Sequence, residues 1–494
     1  MSLGRQAAQG AIWNYAAFLV SKGLLFVATL VLARLLTPAE FGLVGMALLV
    51  ITLLDILRDF GMGSALIYRQ RDGKAAANMA FFLSSGIGVI LFTVNLLLAP
   101  VAATFFKTSG PDETASLTLL LQVLGLSLLF SSLGSAYDAL LQKEIDYRRR
   151  MVPEVGRTLV KGVLSVVLAL MGWGAWSLVI GQVVGEFCAT VLLWVVVPWR
   201  PSLKFERSLF RPMMGYGLQV MMAGGLGTLL GDVDYLIIGR LLGETALGLY
   251  TLAFRIPELL IRNLAQAVST VAFPVAARLQ ADIAAMRDAY LTMQRYMLVI
   301  LAPLGFGLYA VTPAVIHFLF PSRWDAVIPV MQILSIYMLL GGINHWPGVV
   351  YKAVGRPDML NRLSLVKLVM LVPVLWWGAT NYGIEGVAWG QLIVRVAGII
   401  IDMWVVSGFV GVSVWANLRV IWPPMVASAI MAAAVQVLLV FGRDGSSILS
   451  LVLATLSGSA IYVSLIWLLD GATVNGLVSL ARSMLRRKSA VPTG

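Results

Sequence analysis

The stretch ARLLTPAEFGLVG at residues 33–45 returns, altered but in register, as GRLLGETALGLYT at residues 239–251. Arg34-Leu35-Leu36 answers to Arg240-Leu241-Leu242, and Gly42-Leu43 to Gly248-Leu249, 206 positions apart throughout. Within the first copy, Thr37-Pro38-Ala39-Glu40 has the form of a capping box: Thr as N-cap, Pro at the first helical position, Glu at the third. In the second copy Gly243 takes the cap position and Glu244 enters the first turn, where a carboxylate suits the helix dipole. Each phrase therefore reads as the tight turn of a helical hairpin. Both lie between long apolar runs, so the hairpins belong in a membrane if those runs can span one.

They can. The 494 residues are 59 % hydrophobic and 12 % charged, with a mean hydropathy of +0.89, whereas soluble chains are typically about a quarter charged. Windows of about 20 apolar residues fall at 11–33, 41–66, 78–103, 115–137, 154–172, 174–198, 213–239, 247–274, 296–319, 327–351, 363–380, 384–409, 420–441 and 447–469. The expected fold is an all-α polytopic membrane protein with about fourteen transmembrane helices. The first window lacks a small-residue cleavage site and reads as a retained span rather than a signal peptide.

The net charge of +12 is distributed by side rather than by patch. Of 36 Lys and Arg, 23 fall in alternate segments beginning with the N-terminus, and only 5 in the intervening loops. The positive-inside rule then puts both termini in the cytoplasm and both copies of the opening phrase on the periplasmic side. Nucleic acid is excluded as the meaning of the charge. The single cysteine, Cys188, permits no intrachain disulfide and reads as a small buried hydrophobe.

The duplication extends beyond the opening phrase. Leu159-Val160-Lys161 recurs as Leu365-Val366-Lys367 at an offset of 206, Gly181-Gln182 as Gly390-Gln391 at 209, and Gln122-Val-Leu as Gln332-Ile-Leu at 210. Spans 1–6 thus correspond to spans 7–12. Six is even, so the copies share one orientation and are expected to be related by a pseudo-twofold axis along the membrane normal, as in transporters built from parallel repeats. The expected organisation is an N-lobe at 1–198, a basic linker at 199–212, a C-lobe at 213–409, two added spans at 410–473 and a basic tail at 474–494. Leu477, Leu480 and Met484 alternate with Arg482, Arg486 and Arg487 in that tail, the spacing of an interfacial amphipathic helix.

Fifteen charged residues lie inside the expected spans, apart from Glu154 and Glu385 at the very start of theirs. At about 3 kcal/mol each on insertion scales, they are expected to face one another or water rather than lipid. Lys22, Arg58, Lys161, Arg255, Arg262, Lys367 and Arg395 are candidate substrate-binding cations in a polar cavity between the lobes. Arg157, Lys161 and Lys367 are close enough to the cytoplasmic end for snorkelling to be an equal alternative. Asp55, Asp59, Glu186, Asp232, Asp234, Glu258 and Asp402 are candidate sites for a coupling H+ or Na+, with structural ion pairing as the alternative for each. Arg255, Glu258 and Arg262 share one helical face, as do Asp55 and Asp59, while Asp232 and Asp234, two apart, do not. Glu186 occupies the repeat position of Arg395.

Guanidinium and ammonium groups in a closed aqueous chamber suit phosphate or pyrophosphate. His317 and His345 show no partner carboxylate or Cys at ligand spacing, so no metal is expected. No phosphate-binding Gly-Lys loop appears, which argues against ATP hydrolysis. A membrane glycan polymerase or ligase would need a sizeable outer loop or a catalytic pair. The chain reads as a transporter, not an enzyme, with no cofactor beyond a coupling ion.

A series of phrases in fixed order, ARLLTPAEFGLVGMAL, DFGMGSALI, SAYDALLQKEIDYRR, PWRPSLKF, VDYLIIGRLLG, ALGLYTLAFRI, FPVAARLQ, RWDAVIPVMQIL and AVGRPDML, resembles the Wzx-type polysaccharide flippases. These form the polysaccharide transporter branch of the multidrug/oligosaccharidyl-lipid/polysaccharide exporter superfamily. The resemblance runs end to end. It implies a two-lobed bundle with a central cationic cavity that carries undecaprenyl-pyrophosphate-linked oligosaccharide from the cytoplasmic to the periplasmic leaflet of the bacterial inner membrane. The implied partners are that lipid-linked glycan, membrane lipids, and the polysaccharide polymerase and chain-length machinery. Asp59, Asp234, Arg240 and Arg255 match positions the family fills alike, whereas Asp232 stands where Asn is frequent and Arg58 where an apolar residue is usual. A drug exporter of the same superfamily, expected to line its chamber with acids and aromatics, and a peptidoglycan lipid precursor flippase are the alternatives.

Overall fold

The structure, a computed structural model, describes residues 20–58, 60–68, 73–202, 206–265, 279, 282–343, 345–356, 358–441 and 448–489. Among them there are helices and turns and no strand. In chain order the helices are α1 (20–35), α2 (Pro38–Arg58), α3 (Met62–Tyr68), α4 (Gly73–Phe105), α5 (Pro111–Lys143), α6 (Tyr147–Leu170), α7 (Ala175–Val196), α8 (Arg207–Leu241) and α9 (Glu244–Pro257). Then follow α10 (Ile283–Leu319), α11 (Val327–Ile343), α12 (His345–Ala353), α13 (Asp358–Val410), α14 (Val414–Phe441) and α15 (Ile448–Ser489). Each of the fourteen expected windows carries helix over its described residues, and ten helical stretches are long and apolar enough to cross a membrane by those criteria alone. The helix α6 falls outside the ten because charge interrupts it. The 53-residue α13 counts once but holds two spans joined at Gly383.

That joint has a counterpart. Gly383 has φ 61° and ψ −143°, and Gly174, 209 positions earlier and immediately before α7, has φ 53° and ψ −133°. A side chain is strained in this left-handed region, so both copies use glycine to turn one span into the next. Gln122 and Gln332 also repeat one another. Each Nε2 donates to a backbone carbonyl of the preceding span, Leu96 at 3.3 Å and Tyr309 at 3.1 Å.

The capping box forms as the sequence predicts. Thr37 N–H donates to Glu40 Oε2 at 2.7 Å, and Glu40 N–H donates to Thr37 Oγ1 at 3.3 Å. In the second copy Gly243 has φ 92°, and Leu247 N–H donates to its carbonyl at 3.1 Å. Glu244, 4 % exposed, accepts from Ser109 N–H at 3.2 Å and from Ser109 Oγ, so the turn after α4 holds the start of α9. Lys107 N–H to Gly239 O at 3.0 Å and Arg240 Nη1 to Phe105 O complete that attachment.

The two copies of the phrase pack against each other. A Cβ on Gly42 would coincide with the carbonyl of Glu244, and a Cβ on Gly248 with the carbonyl of Pro38. Since Pro38 is the repeat position of Glu244, and Gly42 that of Gly248, the contact is reciprocal. Gly45 lies against its own counterpart, 3.7 Å from Thr251 Oγ1 to the position a Cβ would take. Small residues let helix backbones approach closely inside a membrane, where packing rather than water drives association.

By contact the chain forms two compact units, Met1–Thr251 and Leu252–Gly494. In the first, Met62, Leu66, Met79 and Phe81 pack with Tyr137 and Leu193 in one apolar core, and α8 packs on α2 and α3. In the second, Ala427, Met431 and Val435 of α14 meet Tyr462 and Ile466 of α15, whose Tyr462 hydroxyl donates to Val299 O at 2.6 Å.

Two expected straight spans are not straight. The window 41–66 breaks after α2: Phe60 and Gly61 have φ of 44° and 67°, and Gly61 lies against the backbone of Gly217 so closely that neither admits a Cβ. The span beginning at α9 passes at Pro257 into a π-helical turn, Glu258–Arg262. Proline removes an N–H from the ladder, and the wider turn accommodates the loss. Arg255, Glu258 and Arg262 therefore do not keep the α-helical spacing on which their expected shared face depends.

The last helix kinks at Asp470 (φ −150°, ψ 56°) and continues to Ser489. Asp470 caps the new segment, its Oδ1 accepting from Thr473 N–H at 3.4 Å and its Oδ2 from Thr473 Oγ1 at 2.7 Å, and Arg295 Nε lies 3.6 Å from the same carboxylate. The predicted tail helix at 474–488 thus has helical backbone, anchored at its start to α10.

Gly42→Ala and Gly248→Ala are each expected to destabilise the protein by about 2 kcal/mol or more, since backbone must move to admit the methyl. Gly23→Ala supplies the control, because nothing lies within 4 Å of the place its methyl would take. Thermal unfolding of the three detergent-solubilised variants checks this; equal midpoints would refute the close contact.

Candidate functional site

The first unit contains a cavity of about 310 Å³ walled by the α2–α3 break and by α5, α6 and α7. Six charged side chains line it: Arg58, Arg150 and Arg157 against Asp138, Glu154 and Glu186. Local structure explains the placement. Asp146 caps α6 by accepting from Arg149 N–H at 3.1 Å. With the helix started there, Arg150, Glu154 and Arg157 fall at i, i+4 and i+7 and share a face.

Asp138 on α5 accepts from Arg150 Nε at 2.7 Å and Nη2 at 3.2 Å, and from Gln142 Nε2 at 2.7 Å. This is a two-toothed guanidinium–carboxylate pair with a third donor. Burial alone would depress the Arg150 pKa, but the Asp138 hydrogen bond and charge outweigh it and raise it. Deeper in the cavity, Glu186 is 9 % exposed, and its Oε1 takes Arg157 Nη1 at 3.4 Å and Gln182 Nε2 at 3.3 Å. Arg58 pairs with Asp55 one turn earlier on α2. Hydroxyls of Ser64, Ser131, Ser135 and Thr190 fill the wall between these charges.

The second unit has a drier ion pair. Lys367 Nζ meets Asp402 Oδ2 at 2.6 Å, and the Asp402 side chain is 3 % exposed. Gly398 makes room for the lysine stem, since a Cβ there would stand 3.1 Å from Lys367 Cε. The Tyr351 hydroxyl donates to Asp402 O at 3.4 Å. The Arg395 guanidinium stacks over Tyr337, 4.2 Å from the ring centroid, a cation–π contact. Lys367 is thus held by a buried carboxylate.

The remaining candidates lie outside these two clusters. Asp234, fully buried in the first unit, accepts from Tyr250 OH at 2.8 Å and from Tyr235 N–H at 3.0 Å. Glu258 and Arg262 pair with each other at 2.8 Å across the π-helical turn. Lys22, Lys161, Asp232 and Arg255 are half-buried, none without a partner. Asp59 lies outside the described residues, as does the side chain of His345. His317 has no carboxylate at ligand spacing in the sequence, as read, but the fold brings Asp325 Oδ1 to 3.6 Å from its Nε2. Eight positions separate them, but the chain reverses at Pro321 and a short 3-10 turn, Ser322–Trp324. Among the described residues no three His, Cys, Asp or Glu gather as a metal site.

Of the candidate residues, the cavity of the first unit brings together Arg58 and Glu186, and Arg157, an in-span charge for which snorkelling is an equal alternative, joins them. Asp138, Arg150 and Glu154 complete it and are not among the predicted set. Asp138 falls one residue beyond the expected span 115–137, and Arg150 falls in a segment that reads as cytoplasmic loop. The signal that could have found them is the length of α5 and α6, which carry both residues into one continuous helical pair.

A family profile described as "Polysaccharide biosynthesis protein" matches residues 31–329, which include both copies of the opening phrase. The chain belongs to this family. It is 26 % identical over 431 residues to the lipopolysaccharide biosynthesis protein WzxC of Escherichia coli K12, covering 87 % of this chain and 86 % of that one. The succinoglycan biosynthesis transport protein ExoT of Rhizobium meliloti is 27 % identical over 96 % of this chain and 94 % of its own. The teichuronic acid biosynthesis protein TuaB of Bacillus subtilis is 26 % identical over 87 % and 88 %. Among solved structures, the lipid II flippase MurJ in an inward closed conformation superposes with a TM-score of 0.77 at 14 % identity, over 92 % of this chain and 99 % of that one. A multidrug resistance MATE family transporter of the MOP superfamily gives 0.67 at 17 %, over 79 % and 96 %. At these identities the structural likeness is one of fold. The protein is a multi-pass membrane transporter of polysaccharide biosynthesis.

Lys367→Met is expected to cost about 3–5 kcal/mol by leaving Asp402 charged, buried and unpaired. The double variant Lys367→Met, Asp402→Leu should recover more than half of that loss. Chemical denaturation of the solubilised proteins measures both; a double variant no better than the single would show that the carboxylate is not what Lys367 serves.

Proposed function

We propose that the protein is a flippase that moves an undecaprenyl-pyrophosphate-linked oligosaccharide repeat unit from the cytoplasmic to the periplasmic leaflet of the bacterial inner membrane. What carries the reading is the family match across 31–329, joined to relatives of similar length named for lipopolysaccharide, teichuronic acid and succinoglycan biosynthesis. The physical task is the head group. Sugars and diphosphate cannot enter hydrocarbon unaided, whereas a prenyl tail is already at home there. A water-filled chamber open sideways to lipid holds the head inside and leaves the tail out. Intramembrane cations, Lys22, Arg255, Arg262 and Arg395 among them, offset the diphosphate charge.

Both termini are cytoplasmic in this reading, and the product is delivered to polymerase and chain-length machinery at the periplasmic face. Outward movement carries negative charge down an inside-negative potential, worth about 5 kcal/mol for a dianion at 100 mV. Acids such as Asp234, Glu186 and Asp402 are the candidate carriers of an H+ or Na+ countercharge. The paired geometry of Asp402 with Lys367 makes it the weakest of the three for Na+, since an ammonium already occupies the site.

In cells lacking the protein, a lipid-linked glycan is expected to accumulate on the cytoplasmic leaflet, seen by mass spectrometry of extracted lipids and by its protection from periplasmic glycosidase. Absence of accumulation would end the flippase reading. In proteoliposomes, transport is expected to quicken several-fold under an inside-negative potential; rates indifferent to potential, pH and Na+ varied separately would remove ion and potential coupling.

A further inference from the structure

We infer that the cavity of the first unit is a sugar subsite: it receives one or two hydroxyl-bearing rings of the transported glycan and not its diphosphate. This rests on the flippase reading and assigns part of the substrate to a place inside the first unit.

The first observation is charge balance. Three guanidinium groups, Arg58, Arg150 and Arg157, face three carboxylates, Asp138, Glu154 and Glu186. A lining of zero net formal charge offers no monopole to a dianion, and a phosphate entering it would meet carboxylate oxygens as closely as it met Arg. The strongest of the three cations is also spent. Arg150 lays its fork on Asp138 at 2.7 and 3.2 Å, so binding an anion there would mean breaking that pair. A metal ion is opposed by the same guanidinium groups.

The second observation is hydrogen-bonding capacity. Arg157 engages Glu186 through one Nη at a loose 3.4 Å, which leaves most of its five donors for another acceptor. Glu154 lines the wall as a further acceptor, and the Ser131, Ser135 and Thr190 hydroxyls, whose protons go to the backbone carbonyls of Leu128, Ser132 and Phe130, present lone pairs beside the hydroxyl of Ser64. A sugar hydroxyl is itself one donor and two acceptors. It suits a wall where both kinds alternate better than a wall of a single kind.

The third is size and shape. At about 310 Å³ the cavity stands at the lower end of ligand pockets, roughly 300–1,000 Å³. That admits a ring or two and excludes a polyprenyl chain. Ile67, Ala139 and Leu193 supply apolar patches for the C–H face of a pyranose. Arg150 and Gln142 belong to the 142–151 segment that the charge distribution places in the cytoplasm, where the glycan is built. The cavity therefore faces the compartment from which its ligand comes.

The test places the photo-crosslinking residue p-benzoylphenylalanine at Ile67 or, separately, at Ala139, in the full chain in its native membrane, in cells fed tritiated glucosamine and galactose. After irradiation, mild acid cleaves the bond between sugar and pyrophosphate. Label that remains on the protein while prenyl pyrophosphate is released is the expected result. Capture should fall at least fivefold in Glu154→Leu, which replaces an acceptor by an apolar group. Label lost on mild acid would mean capture through phosphate or prenyl, and would overturn the inference in favour of an anion site. No labelled adduct at either position would overturn it as well, as would capture unchanged by Glu154→Leu. Failure of the flippase reading looks different: null cells then accumulate no labelled glycan lipid at all, whereas failure of the subsite alone leaves that accumulation intact.

Discussion

A charge inside hydrocarbon has nothing to solvate it, so each one must be answered by another group of the same protein or by enclosed water. Most of the interior of this molecule follows from that constraint. Asp402 is tolerated because Lys367 reaches it, and Lys367 reaches it because position 398 is glycine. Asp234 sits at zero exposure because a tyrosine hydroxyl and a backbone N–H both point at it. Arg395 rests on an aromatic face, with the Asp402 charge close enough to act on it. Where several such answers cluster, as at Asp138, Arg150, Arg157 and Glu186, the helices stand apart far enough to leave a cavity.

Much of the fold was legible in the sequence because the relevant signals are local. A span is a run of apolar residues, a capping box is four adjacent residues, and a duplication is a constant offset. Thr37 and Glu40 bond as their spacing predicts, and Gly174 and Gly383 share a backbone conformation across 209 positions. What could not be read is where helices leave the ideal cylinder. The turn at Phe60-Gly61 depends on Gly217, and the π-helical turn at Glu258–Arg262 on how its surroundings absorb Pro257. The first is set by a partner distant in the chain and the second by how the helix accommodates a proline, and periodicity is blind to both.

The candidate site shows the same division. Arg58, Arg157 and Glu186 announce themselves as charges within apolar windows. Asp138 and Arg150 do not, because they lie at window edges, where a charge ordinarily meets water. Only the packing of α5 on α6 and α7 turns them inward. The pairing of His317 with Asp325 escapes the sequence for a related reason: chain reversal makes neighbours of residues whose spacing fits no helix.

The reciprocal seating of Gly42 on Glu244 and Gly248 on Pro38 has a consequence for descent. A patch that binds its own repeat is self-complementary, the property that lets identical subunits pair about a twofold axis. A half-length ancestor bearing one copy of the phrase already had what it needed to form a homodimer through this contact. Joining two such halves in one chain keeps the contact without a new interface, and leaves corresponding positions such as Glu186 and Arg395 free to carry opposite signs.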